Sequence, residues 1–156
     1  MKESKKNFHN AEILSVISRA VEWAEKQADR ILKEGEPLNP SEVELARIAG
    51  VRCPERVRIL KVSNMPTPED PKFAEAAKAN GFLWEQIKGL TLGYGIYIME
   101  EYKSARLVSH ELRHVFQFEQ TGSLSIFLQK YLQQLISFGY DNAPFEIDAR
   151  KHEQGH

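Results

Sequence analysis

The chain has 156 residues, 42% of them hydrophobic, and its 21 basic and 22 acidic side chains leave a formal net charge of −1. That size fits one domain spanning residues 1–156, and the lack of a long Lys/Arg cluster argues against nucleic acid as the main partner. No stretch approaches about 18 consecutive apolar residues, so no membrane span is expected; Cys53 is the single cysteine, which excludes an intrachain disulfide.

At the start, Lys2, Lys5 and Lys6 have no apolar stretch behind them. They read as a solvated terminus rather than a targeting signal, and the cytoplasm is the expected compartment. Ile13, Ile17, Ala20, Val21, Ala24, Ala28 and Ile31 follow helical spacing, with Gly35 and Pro37 as a stop. Asn39-Pro40-Ser41-Glu42 supplies a cap, a proline at the first helical position and an acid in the first turn of a short helix that Gly50 closes. Helices thus fill about 10–50.

A small sheet region is expected over about 56–99. Val57–Val62 is short and branched, as a strand is, and Asp70-Pro71 starts a helix that runs to about Asn80-Gly81. Leu90–Met99, reading LTLGYGIYIM, is one bent strand or a tight pair of strands, with Gly93 and Gly95 at a bulge or close approach. These two glycines also mark the expected exposed sheet edge. Helices return over about 103–153: one from Lys103 to Thr121, one carrying Leu124, Phe127, Leu128, Tyr131, Leu135 and Phe138 on a stripe, and a last one from Pro144 to Glu153. The order describes an α+β fold, mainly helical, with a small twisted sheet before the first C-terminal helix.

That helix contains Ser109-His110-Glu111-Leu112-Arg113-His114, an H-E-x-x-H motif. Residues four apart lie one turn apart on the same side, so both imidazoles reach one ion while Glu111 addresses a water beside it. Leu107, Val108, Leu112, Val115, Phe116 and Phe118 make the helix apolar over most of its circumference, leaving Arg106, Arg113 and Gln117 as the wetter strip. A catalytic zinc usually takes three protein ligands and one open position. A third histidine in H-E-x-x-H-x-x-G-x-x-H is excluded, because Gln117 and Gln120 stand where that pattern needs Gly and His. Glu146, in the first turn of the last helix, is the preferred third ligand; Asp141, Asp148, Glu119 and Glu153 are the weaker ones. Asp148 is also a candidate acceptor for a histidine N–H.

HELRHVFQFEQTG, a long helix, and then GYDNAPFEIDAR resemble the small bacterial zincin-like domains with a glutamate third ligand, the gluzincin pattern. The resemblance covers about Pro54 to Arg150. It implies a minimal zincin-like fold and one Zn2+ per chain held by His110, His114 and Glu146. It also implies Glu111 as general base and a peptide or protein as substrate. Thermolysin-like members carry an aspartate four residues after the ligand glutamate; Arg150 stands there, so the partner that orients a histidine is unassigned. Oxyanion donors are sought among Tyr140, Tyr131, Tyr94 and His152. The competing reading is a zincin-like binding or regulatory module without proteolytic activity.

Overall fold

In a computed structural model, which describes residues 10–155, the chain opens with helix α1 (Asn10–Glu34), a two-residue strand β1 (Glu36–Pro37) and helix α2 (Pro40–Ala49). Lys2, Lys5 and Lys6 lie outside the described residues. The start of α2 is fixed by a reciprocal pair: the Asn39 side chain accepts from Glu42 N–H and the Glu42 carboxylate accepts from Asn39 N–H, each at 2.9 Å. Gly50 ends it at φ 91°, in the left-handed region that favours glycine.

Strand β2 (Arg58–Val62), helix α3 (Pro71–Ala79) and strands β3 (Gly89–Leu92) and β4 (Gly95–Met99) follow. Of the two readings of LTLGYGIYIM, the tight pair is the one observed. Leu92 sits opposite Gly95, and Gly93, at φ 75°, takes the first place in the two-residue turn, where a hairpin of this kind needs positive φ. The sheet order is β1-β2-β4-β3, with β4 parallel to β2 and antiparallel to β3. The expected edge at Gly93/Gly95 is therefore corrected. Gly93 belongs to the turn and Gly95 opens a central strand, where an added Cβ would meet Ile31 Cβ at 2.9 Å; the edge on this side is β3, and β1 is the other.

Alternation along β4 divides the interior in two. Ile96 and Ile98, with Val57 and Ile59, pack against Ala46 and Ala49 of α2 and Val108, Leu112 and Val115 of α4 (Ala105–Thr121). Tyr97, pointing the other way, joins Ile31 of α1, Phe73 of α3 and Leu135 of α5 (Leu124–Phe138). The chain closes with α6 (Pro144–Lys151), somewhat shorter than the predicted helix. This is an α+β fold, mainly helical, with its small mixed sheet ahead of the motif helix, as the sequence pattern implies.

Candidate metal centre

The motif helix α4 begins at Ser104, whose hydroxyl accepts from Leu107 N–H at 3.1 Å, and ends at Gly122 in the left-handed region. Packing of Val108, Leu112 and Val115 on the sheet sets the rotation of α4. The neighbouring side then carries His110, Glu111, His114 and Gln117 towards β3, α5 and α6. Gln117 is buried, so it does not belong to a wetter strip as its polarity suggested.

His110 Nε2 lies 3.0 Å from Glu146 Oε1, and His114 Nε2 lies 3.2 Å from Glu146 Oε2. Two helices thus bring two ring nitrogens and one carboxylate to a point. Ligand atoms of His110, Glu111 and His114 also lie within 4.8 Å of one another. Glu111, His114 and Glu146 are 4%, 5% and 3% exposed, so water contributes little to holding their charges. Donors on a tetrahedron with zinc bonds of about 2.0–2.1 Å stand about 3.3 Å apart. The spacing and chemistry of these donors fit such an ion.

No protein family, curated protein or solved structure matches this chain.

The remaining ring nitrogens have acceptors of their own. His110 Nδ1 donates to Glu153 Oε2 at 2.8 Å, and Arg106 donates to the other Glu153 oxygen at 2.7 Å. His114 Nδ1 donates to Gln117 Oε1 at 2.8 Å; the amide cannot be turned round, because Gln117 Nε2 donates to Phe145 O and to Asp148 Oδ2, both at 2.9 Å. Both Nε2 atoms are thereby left to face Glu146. Glu153, a weaker ligand candidate at the end of the last predicted helix, fills the place that Arg150 left open. Asp148 takes Arg113 at 2.8 and 3.2 Å, lies 3.4 Å from His152 Nδ1, and reaches the motif histidine His114 only through Gln117.

The tyrosines part company. Tyr131, a stripe residue and a candidate oxyanion donor in the sequence, donates its hydroxyl to Glu146 Oε2 at 2.6 Å, whereas Tyr94 donates to Glu119 Oε2 at 2.9 Å. Glu119 also accepts from the Arg52 and Cys53 amides, so it is an anchor for the turn after α2. Tyr140 lines the cavity beside Glu111, His114 and Glu146, its ring edge-on to Phe82 at 5.6 Å. His152 turns its Nδ1 to the Asp148 carbonyl, donating at 2.8 Å, and does not line this cavity. Thr91, which the sequence reading passed over, lies on edge strand β3 with its hydroxyl 2.8 Å from Glu111 Oε1 and 3.1 Å from the Glu111 carbonyl. The signal existed, since alternation along β3 puts Gly89 and Thr91 on the face turned to α4.

Charge is concentrated here. Burial works to discharge His114, but the Glu146 carboxylate outweighs it and raises the imidazole pKa to about 9; His110 shifts upward on the same balance. Burial pushes Glu146 up and the two imidazoles pull it down, leaving it below the usual carboxylate range. Burial, with the charges of Glu146 and Glu111 behind it, raises the Tyr140 phenol above its ordinary 10, which keeps it protonated as a donor.

Proposed function

We propose that this chain is a zinc-dependent hydrolase of the zincin type, acting on peptides, with His110, His114 and Glu146 holding the ion and Glu111 as the general base. The observation that carries the reading is the convergence of the two Nε2 atoms on Glu146, with Glu111 in the same cluster. When bound, a zinc ion supplies a Lewis acid that lowers the pKa of water to about 7 and polarises a carbonyl. The chain does the rest.

Glu111, its carboxylate held by Thr91, takes a proton from the attacking water and returns it to the leaving nitrogen. Tyr140 donates to the oxygen on which charge develops. Tyr131 fixes one oxygen of Glu146, while Glu153 and Gln117 hold each imidazole at Nδ1 with Nε2 turned to Glu146. Edge strand β3 runs along the same cavity and offers unpaired backbone to an extended polypeptide, which favours a peptide over a small ester.

Purified protein dialysed without chelator is expected to hold one zinc per chain, and His110→Ala to lose it. Glu111→Gln is expected to keep the zinc and to lose cleavage of an unstructured peptide library. Far less than one zinc per chain, unaltered by His110→Ala, would sink the metal reading. A zinc-loaded wild type that cleaves nothing would leave the binding module as the function.

A further inference from the structure

A second cavity, of about 50 Å3, lies among α1, α3, β3 and α5 and touches none of His110, Glu111, His114 or Glu146. Its lining is almost wholly apolar, and Trp23 and Trp84, the only two tryptophans of the chain, both take part in it. Their rings meet edge to face at 5.8 Å, and Phe82 meets Trp84 at 4.8 Å. Among the described residues, Trp84 Nε1 is the buried side-chain polar atom that has no hydrogen-bond partner in the protein.

That atom is fully enclosed, so no group in the cavity reaches it and the wall the cavity presents is apolar. A water is a poor occupant, because it needs two to four polar partners and this lining offers almost none. What suits the space is an apolar group. On the scale at which one water takes about 10–15 Å3, the cavity has room for roughly four heavy atoms, the size of a Leu or Met side chain. It also adjoins the metal-centre cavity: Phe82, Leu90, Leu92, Leu128 and Tyr131 line both. A polypeptide running beside β3 would set alternate side chains on the Leu90/Leu92 face.

We propose that this tryptophan-lined cavity is a remote specificity pocket, which takes a Leu- or Met-sized side chain of the polypeptide cut at the metal centre. The proposal rests on the peptidase reading for the identity of its occupant. Its own content is a preference exerted away from the scissile bond.

Tryptophan emission tests it without turnover. The probes are a short peptide of Gly, Ser and Lys carrying one Leu, its Ala counterpart, and dodecanoate, each titrated into zinc-loaded Glu111→Gln protein. The Leu peptide is expected to shift the emission and to bind on the order of tenfold more tightly than the Ala peptide. Ala77→Leu and Ala20→Leu, which fill the cavity from two different helices, are each expected to erase that difference while zinc content stays the same. Equal binding of the Leu and Ala peptides overturns the proposal, as does a Leu preference that survives both filling variants. An emission shift with dodecanoate and with neither peptide also overturns it, in favour of an acyl ligand. Cleavage is scored separately with wild-type protein: a Leu peptide that binds as described but is never cut leaves the pocket standing and removes the peptidase reading.

Discussion

Each imidazole of the motif is useful because its other nitrogen is occupied. Glu153 accepts from His110 Nδ1, and Gln117 accepts from His114 Nδ1, so neither ring can turn its Nδ1 inward without breaking a buried hydrogen bond. Removing such a support typically costs 10–100-fold in metal affinity, about 1.4–2.7 kcal/mol. Gln117→Ala and Glu153→Ala are each expected to weaken zinc binding by about that factor in a chelator competition, with helical circular dichroism unchanged. Affinity equal to wild type in both would mean that the rings are held by packing alone. H-E-x-x-H was legible in the sequence because helical spacing is a local property, and Glu146 because it opens a predicted helix. Gln117 and Glu153 were not, since a glutamine beside a motif and an acid at a fraying helix end look like surface residues until the fold buries one and turns the other inward.

At the scale of elements, two glycines of the sheet make equally close approaches with different consequences. A Cβ at Gly95 would stand 2.9 Å from Ile31 Cβ, the stem of a side chain that is fully buried in α1. A Cβ at Gly89 would stand 2.9 Å from the Glu111 carboxylate carbon, the far end of a side chain that can move. Gly95→Ala is therefore expected to destabilise the protein by about 1–3 kcal/mol, read as a lower denaturation midpoint at unchanged slope. Gly89→Ala is expected to cost less stability but to displace Glu111 from Thr91, lowering kcat with zinc content retained. A Gly89→Ala protein with wild-type kcat would show that the carboxylate tolerates displacement. The glycines of LTLGYGIYIM were readable as a close approach. Which backbone approached what was not, because pairing of β4 with β2 is a long-range fact that places Gly95 at the centre of the sheet and leaves β3 at the edge.

Across the whole molecule, the apolar and polar contacts are divided unevenly. The sheet, α2 and the inner face of α4 are joined by buried aliphatic side chains. Helix α6 meets α4 through polar groups instead: Arg113 with Asp148, Gln117 with Phe145 O and Asp148, and both motif imidazoles with Glu146. Its apolar hold is on α5, where Phe145 stacks on Phe127 at 5.4 Å. Polar contacts that surround a proposed ion are the ones such an ion would strengthen, because it binds the docked arrangement and not the open one. Local opening of α6 should then depend on zinc, while opening of the sheet should not. Hydrogen exchange compares the two directly. In chelator-treated protein the amides of α6 are expected to exchange at least about tenfold faster than in zinc-loaded protein, with those of β4 unchanged. Equal protection of α6 in both states would place its anchoring on Phe145 and remove the coupling between the metal centre and the last helix.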